Sequence, residues 1–203
     1  MITRKEGLVF VVSAPSGAGK TTLCKAITDS LGNLRHSISY TTRRARPGEK
    51  DGRDYFFVPE EKFRAMVRAG DFAEWAEVHS HLYGTSRQAL DDLVANGIDV
   101  ILDIDTQGAQ QIKKTYKKAM FLFILPPSLA ILEERLHNRR SDDPEEIKKR
   151  MQRAREEIRE YAMYDYIIVN RDFDRALDEL RSIIIAERCR TRMVDPQWME
   201  GLF

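Results

Sequence analysis

Four short apolar runs divide the chain, and segments with helical patterns lie between them. The runs are Leu8–Val12, Val100–Asp103, Met120–Leu125 and Tyr166–Val169. A continuous run of four to six residues rich in Val, Ile and Phe is typical of a strand that is buried on both faces of a parallel sheet. Buried strands that alternate with helices predict an α/β fold, in which helices cover both faces of the sheet.

Helix boundaries in the intervals are marked by ordinary start and stop residues. Glycines or polar breaks follow several of the patterns, and Thr106 and Ser128 stand where N-cap residues are expected. The predicted helices are Lys20–Leu31, Pro59–Ala69, Ser86–Asn96, Thr106–Lys114, Ser128–Asn138, Pro144–Tyr161 and Phe173–Arg190.

One stretch, between about Ser37 and Thr85, breaks this rhythm. Its apolar segments are short, alternating and aromatic, which favours half-exposed strands over buried parallel ones. The stretch therefore predicts a small mixed sheet inserted into the main fold. Its expected strands are Ser37–Tyr40, Tyr55–Val58 and a hairpin of Phe72–Val78 with His81–Tyr83.

Composition places the chain among ordinary globular proteins. It has 203 residues, 42% of them apolar and 32% charged, which is enough for one domain with a substantial core. The net charge of +1 gives no overall field for nucleic acid or a membrane surface, so we expect neither partner. Two basic segments, Arg35–Arg53 and Arg135–Arg155, stand out locally. They indicate either anion sites or solvated surfaces.

Cysteine usage and the first residues favour a cytoplasmic protein. Cys24 and Cys189 are far apart and lack metal-ligand spacing, so we expect both to be reduced. The segment Met1–Gly7 is polar and does not resemble a signal peptide. The apolar runs are too short to cross a bilayer. The tail Thr191–Phe203 is expected to dock either on the body of the protein or on another subunit, and the oligomeric state stays open.

A glycine-rich loop follows the first apolar run and opens the first predicted helix. It matches the pattern G-x-x-x-x-G-K-[ST] except that Ala14 replaces the first glycine, which requires a negative φ there. Its backbone N–H groups are expected to cradle nucleotide phosphates, with Lys20 on the β- and γ-phosphates and the Thr21 hydroxyl on Mg²⁺. The predicted nucleotide-binding residues here are Ala14, Pro15, Ser16, Gly17, Ala18, Gly19, Lys20, Thr21 and Thr22.

Carboxylates follow the second apolar run, in the order Asp103, Ile104, Asp105. Ligands of open α/β sheets bind at the carboxyl ends of the strands, where the glycine-rich loop also lies. An Asp at this position orients Mg²⁺ in phosphate-loop enzymes, so Asp103 is a candidate metal ligand together with Thr21.

A basic loop carries a second candidate anion site. Arg43 and Arg46 are close in sequence, and Tyr55 follows within the same irregular segment. Two guanidinium groups and a phenol suit a phosphate, because they provide charge and bidentate hydrogen bonds together. A solvated basic loop is the alternative that these residues alone leave open.

Taken together and in order, these motifs resemble the guanylate kinase family over about residues 8–190. The segments that carry the resemblance are Ser16–Lys20, Ser39–Arg46, Gly52–Tyr55, Glu74–Ala76, Tyr83–Thr85, Ile101–Asp105, Pro126–Ser128 and Arg135–Arg139. The resemblance implies a phosphate-loop core (1–36, 88–126 and 156–203), a mixed α+β insertion that binds GMP (37–87) and a helical lid (127–155). It also implies an enzyme that transfers a phosphoryl group from ATP to GMP with Mg²⁺.

The resemblance assigns expected roles to individual residues. For the GMP phosphate these are Arg43, Arg46, Tyr55 and Tyr83, and for the guanine base Ser39, Glu74, Thr85 and Asp105. Asn170 matches a position near the adenine of ATP. The residues expected to act on the transferred group are Lys20, Arg43 and the lid arginines Arg139 and Arg150. Arg140 departs from the family pattern, in which glycine commonly follows the first lid arginine.

Two other functions compete with this interpretation. A kinase acting on a sugar phosphate does not need the guanine-reading set of Ser39, Glu74 and Thr85. A domain that has lost catalysis and binds phosphopeptides does not need Lys20, Thr21 or the other residues that serve ATP. Both sets of residues are present, which favours the kinase of GMP.

Overall fold

Five parallel strands form the central sheet of the protein, seen in a computed structural model that describes residues 4–78, 80–138 and 144–203. Across the sheet the order is β2 (Leu34–His36), β7 (Asp99–Asp103), β1 (Val9–Ser13), β8 (Met120–Leu125) and β9 (Tyr166–Val169). All neighbouring pairs are parallel. β1 occupies the centre and is buried along its whole length, as its continuous apolar sequence predicts.

Helices cover both faces of this sheet, so the predicted α/β fold is confirmed. The α-helices of the described residues are α1 (Lys20–Ser30), α2 (Glu60–Ala69), α3 (Arg87–Ala95), α4 (Thr106–Thr115), α5 (Leu129–Asn138), α6 (Pro144–Arg159), α7 (Phe173–Arg188) and α8 (Pro196–Glu200), and those that cover the main sheet are α1, α3, α4 and α7. Residues of α1 and α7 share one apolar cluster with the sheet, and residues of α3 and α4 share the other. Within the described ranges, every helix is too short or too polar to span a membrane.

A second sheet of four short strands stands between α1 and α3 in the sequence. Its order is β4 (Phe56–Phe57), β3 (Tyr40–Thr41), β6 (His81–Ser86) and β5 (Phe72–Val78). β5 and β6 form the predicted antiparallel hairpin. Phe63 of α2 packs on Phe72 and Leu82 to give this unit a small core of its own.

A register irregularity lies between Phe72 and Glu74, at the start of β5. Phe72 packs in the small core of the second sheet, whereas Ala73 packs in the main core against α3 and α4. A bulge redirects side chains in this way. As a result Phe72, Ala73 and Glu74 are buried in succession, and Glu74 lies where the two sheets meet.

Three local predictions were wrong. The first strand expected at Ser37–Tyr40 is replaced by β2, a short, partly polar edge strand of the main sheet, and by β3. β9 is an edge strand with Ile167 and Val169 exposed, so burial on both faces does not hold for it. The N-cap of α4 is Asp105 instead of Thr106, because the Asp105 carboxylate accepts the Gly108 N–H.

The C-terminal tail docks on the body of the protein at its beginning. Val194 forms an isolated antiparallel bridge with Arg4, and Met193 is buried in the main core. The same end of the molecule holds the fully buried Asp99, whose oxygens accept hydrogen bonds from Arg4 and Arg188 at 2.7 Å each. These contacts tie both chain ends to the central sheet.

Candidate active site

The glycine-rich loop between β1 and α1 has the backbone shape that its sequence predicts. Gly17 and Gly19 have φ values of 98° and 94°, in the left-handed region that disfavours side chains. Ala14 has no such φ, so its replacement of the first glycine of the motif causes no strain. Left-handed glycines just before a helix are the backbone pattern that allows a loop to hold phosphate oxygens with its N–H groups.

Asn170, the residue after β9, holds this loop in place through its side-chain amide. Its side-chain amide donates to the Ala18 carbonyl at 2.7 Å, and the residue is almost fully buried. A Cβ at Gly19 would lie only 2.4 Å from Asn170 Nδ2. Arg135 of α5 in turn donates to the Asn170 carbonyl at 3.0 Å. Asn170 therefore anchors the phosphate loop; its expected place near adenine stays a prediction.

Lys20, Thr21 and Asp103 lie together at the carboxyl end of the main sheet. Lys20 Nζ is 2.7 Å from Asp103 Oδ1, and Thr21 Oγ1 donates to Asp103 Oδ2 at 2.8 Å. Burial, the largest single cause, lowers the pKa of Lys20, but the charge and hydrogen bond of Asp103, with smaller contributions from Cys24 and Asp105, together raise that pKa above its usual value. Burial likewise raises the pKa of Asp103, and Lys20 and Thr21 reverse the shift, so this carboxyl stays ionised.

The donors at this point fit Mg²⁺. A threonine hydroxyl and a carboxylate are hard oxygen ligands, and Mg²⁺ is usually held by one or two protein groups with waters and substrate phosphates completing its shell. Thr21 and Asp103 provide such a pair. In residues 4–78, 80–138 and 144–203 there is no cluster of three or more His, Cys, Asp or Glu side chains that could hold a metal by themselves.

The basic loop before β4 forms an ordered cluster. Arg43 makes a bidentate pair with Glu49, with N–O distances of 2.8 and 3.0 Å, and its guanidinium lies 5.4 Å from the centre of the Tyr55 ring. The Tyr83 ring stands edge-on to Tyr55, with 6.0 Å between ring centres. Hydrogen bonds to Glu49 raise the pKa of Arg43 further, so the guanidinium is permanently charged. Three of the four predicted phosphate contacts are thus brought together.

Glu49 links Arg46 to Arg43 within this loop. The Arg46 side chain is exposed, and its backbone N–H donates to Glu49 Oε2 at 2.7 Å. Glu49 thus orients the Arg43 side chain and the Arg46 backbone at once. Our sequence interpretation did not assign a role to Glu49. Its position just after the Pro47–Gly48 turn could have indicated one, since such a turn brings Glu49 back to the arginines.

Glu74 is the most unusual group of the site, a carboxylate that is only 4% exposed. The Thr85 hydroxyl donates to its Oε1 at 2.6 Å. Burial raises the pKa of Glu74 to about 7, and the nearby Asp105 charge contributes in the same direction. Asp105 itself caps α4, and Ser39 lies half-buried directly before β3. Glu74, Thr85 and Asp105 therefore converge where the second sheet meets α4.

The lid arginines are only partly described. Arg150 on α6 is mostly buried, and its Nε lies 3.9 Å from Glu146. Arg139 and Arg140 lie outside the described residues. The same helix carries Glu157, whose pKa is raised to about 7, chiefly by burial, while the Lys20 charge acts in the opposite direction. The sequence did not single out Glu157, because one acid among many on a charged helix is not distinctive.

Comparisons with known proteins agree on one family. The guanylate kinase family model matches residues 6–187 of this chain. The guanylate kinase of Geobacter metallireducens is 55% identical over 93% of this chain and 93% of that protein. The guanylate kinase of Legionella pneumophila is 50% identical over 94% of this chain and 91% of that protein.

Solved structures extend this agreement to the fold. The crystal structure of guanylate kinase from Anaplasma phagocytophilum superposes with a TM-score of 0.79, at 34% identity, over 95% of this chain and 92% of that one. A shikimate kinase from Bacteroides thetaiotaomicron shares the fold alone, with a TM-score of 0.50 and 15% identity over 88% of this chain and 98% of that one. The family model, the identities and the superposition together show that this chain belongs to the guanylate kinase family and is a nucleotide-binding kinase.

Proposed function

We propose that this protein transfers the γ-phosphoryl group of ATP to GMP, with Mg²⁺, and releases ADP and GDP. The observation that carries the proposal is the buried Glu74 carboxylate, which accepts from Thr85 and lies between the second sheet and α4. A buried acid with few internal partners is costly unless a ligand supplies hydrogen-bond donors. Guanine has two adjacent donors, N1–H and the N2 amine, that match two carboxylate oxygens.

The ATP side of the reaction is proposed to use the loop from Ala14 to Thr22. Its N–H groups hold the phosphates, and the Lys20 ammonium stabilises charge that develops on the β- and γ-oxygens. Thr21 and Asp103 are the residues that would hold Mg²⁺. When bound, the ion neutralises phosphate charge and orients the triphosphate. Asn170 keeps the loop in shape through the Ala18 carbonyl.

The GMP phosphate is proposed to bind at the cluster of Arg43, Arg46, Tyr55 and Tyr83. Burial is the main cause that raises the pKa of Tyr55; the Asp103 charge raises it further and the Lys20 charge lowers it, so Tyr55 lies within range of the charges at the phosphate loop. An acceptor phosphate held by the cluster would then lie near the donor phosphate held by Lys20. Phosphoryl transfer needs mainly this positioning and charge stabilisation, and little covalent help from the protein.

Residues 37–87 and 127–155 are proposed to act as a GMP-binding unit and a lid around a core formed by 1–36, 88–126 and 156–203. Closure excludes water, which protects ATP from hydrolysis, and brings Arg139 and Arg150 to the transferred group. We also propose the reducing cytoplasm as the compartment, which suits two cysteines that are both free thiols.

A coupled assay of ADP release tests the proposal against its rivals. The protein is supplied with ATP, Mg²⁺ and one acceptor at a time: GMP, AMP, CMP, UMP or a sugar phosphate. We expect rapid ADP release with GMP and a kcat/KM for AMP lower by about 10⁴-fold, as is typical of sites built on buried hydrogen bonds. Preference for a sugar phosphate, or no turnover with any acceptor, would overturn the proposal in favour of the first or second rival.

A further inference from the structure

Helix α4 packs against strand β5 next to Glu74, the carboxylate proposed to bind the base. Two residues of α4, Gly108 and Gln111, contact β5 there. We infer that α4 sets the specificity for GMP: Gly108 leaves the room that the Glu74 carboxylate occupies, and Gln111 fixes the strand that carries it. The inference rests on the proposed function, because it names the residues that position a group proposed to read guanine. Both are positioning residues, since neither Gly108 nor Gln111 is expected to contact the substrate.

Gly108 contacts both carboxylates that are proposed to read the base. Its N–H donates to Asp105 Oδ1 at 2.9 Å. On its other side, a Cβ at this position would lie 2.5 Å from Glu74 Oε2 and 3.1 Å from Glu74 Cδ. Contacts of that length are not tolerated, so any side chain at Gly108 must displace the Glu74 carboxylate.

Space, and not backbone conformation, explains this glycine. Gly70 and Gly97 have positive φ values and open surroundings, so their backbone shape accounts for them. Gly108 has no positive φ and lies in the first turn of α4, where an alanine would also fit the helical backbone. A glycine that weakens its helix without serving its backbone is explained by the close approach of another group. Here that group is Glu74.

The Glu74 carboxylate has little freedom to move aside. Thr85 holds its Oε1 at 2.6 Å. The next residue, Trp75, is held at the strand edge by Gln111, which accepts from the Trp75 N–H at 3.2 Å and donates to the Trp75 carbonyl at 2.7 Å. The side-chain amide of Gln111 thus pairs with the Trp75 N–H and carbonyl as the backbone of a neighbouring strand would. With the backbone and one oxygen fixed, pressure at Oε2 changes the direction in which the carboxylate faces the base.

The test compares Gly108→Ala with Gly32→Ala, a glycine in open space whose φ is also not positive. For Gly108→Ala we expect kcat/KM for GMP to fall by about tenfold or more, since displacements of this size near a substrate have large kinetic effects. The KM for ATP should change by less than about twofold, because the phosphate loop is untouched. The melting temperature should change by no more than a few degrees, because the gain in helix propensity opposes the strain of displacing the buried carboxylate. Gly32→Ala should leave all these values unchanged.

A rescue separates displacement of Glu74 from any general damage. Glu74→Asp withdraws the carboxylate by one methylene, so its loss of GMP activity should be smaller in the Gly108→Ala protein than in the wild type. Additive losses would show that the two residues do not interact and would overturn the contact. A Gly108→Ala protein that melts normally and keeps the wild-type GMP/AMP ratio of kcat/KM would overturn the role of Gly108.

Gln111→Leu provides the second, independent variant. It removes both hydrogen bonds to the Trp75 backbone at similar volume, and we expect the GMP/AMP ratio to fall in the same direction. If Gly108→Ala does not fold, an unchanged ratio in Gln111→Leu overturns the inference. A wild-type protein without preference for GMP would instead refute the proposed function. The wild type is therefore measured first, so that this outcome is separated from the outcomes for the variants.

Discussion

At the scale of single residues, burial makes the ionised form of Glu74 unfavourable in the protein without a ligand. Its pKa is raised from 4.5 to about 7, chiefly because burial disfavours the ionised form. The folded protein therefore binds this proton more tightly than the unfolded chain does. By proton linkage, the contribution of Glu74 to stability falls as pH rises from about 4.5 to about 7. Above that range the folded protein holds an unfavourable buried charge.

Glu74→Gln should consequently stabilise the free protein at high pH. We expect a gain of roughly 3 kcal/mol in the free energy of unfolding at pH 8, from the pKa shift from 4.5 to about 7, and a gain of only roughly 1 kcal/mol at pH 5. Denaturant melts at both pH values measure it, with Glu77→Gln on the exposed face of the same strand as the control. A gain that is equal at both pH values, or no gain, would show that the buried charge is not destabilising.

Lys20 makes a second prediction for a single side chain. Its ammonium acts on charge that develops during transfer, so Lys20→Met should lower kcat by about 10²-fold or more. The affinity for GMP should change little, because the Arg43 cluster lies in the second sheet. Steady-state kinetics and GMP titration measure the two effects. Near-normal turnover would refute the role of the phosphate loop.

At the scale of elements, one turn organises the phosphate cluster. Glu49 pairs with Arg43 and accepts from the Arg46 backbone, so the loop before β4 is ordered without a ligand. An acceptor phosphate would meet an Arg43 guanidinium that is already oriented, which would lower the entropy cost of binding.

Arg43→Ala and Arg46→Ala should therefore raise KM for GMP far more than KM for ATP. Loss of one partner of a charged contact costs about 2–5 kcal/mol when the contact is buried, and we expect the larger effect at the less exposed Arg43. Arg44→Ala, in the same loop and exposed, is the matched control. Equal losses for both substrates would indicate damage to the fold instead of a lost phosphate contact.

The elements also show what the sequence could and could not predict. The long apolar strands and the hairpin were predictable, because burial on both faces or alternation leaves a clear pattern. β2 was not, since a three-residue edge strand with two exposed polar residues has no such pattern. The bulge before Glu74 and the close approach of Gly108 depend on contacts between distant segments. Local sequence does not contain that information.

At the scale of the whole molecule, different parts of the chain carry the phosphate loop, the residues proposed to bind the base and the proposed lid. Asp103 and Asp105 were predictable site candidates, because acids at the end of a buried strand lie beside the phosphate loop. The proximity of Glu74 and Asp105, which both lie beside Gly108 of α4, depends on how the two sheets are arranged and was not predictable from the sequence. A site divided in this way is complete only when its parts approach one another.

We therefore expect the molecule to contract when both nucleotides bind. In the proposed mechanism the arginines of residues 127–155 and 37–87 would meet both phosphates only in a closed state, and this difference in contacts would drive closure. Solution scattering with a bisubstrate mimic that joins adenosine and guanosine by phosphates should give a smaller radius of gyration than the free protein. ATP alone should give a smaller change. An unchanged radius with the mimic would show that the lid does not close.

The most direct measurement of base recognition is the ratio of kcat/KM for GMP to kcat/KM for AMP in the wild type and in Glu74→Gln. A glutamine offers one acceptor and turns its NH₂ toward a guanine donor, which should weaken GMP use by at least about 2 kcal/mol. AMP lacks those donors and should lose less, so the ratio should fall by about 30-fold, while Glu77→Gln keeps the wild-type ratio. An intact ratio in Glu74→Gln would show that this carboxylate does not read the base.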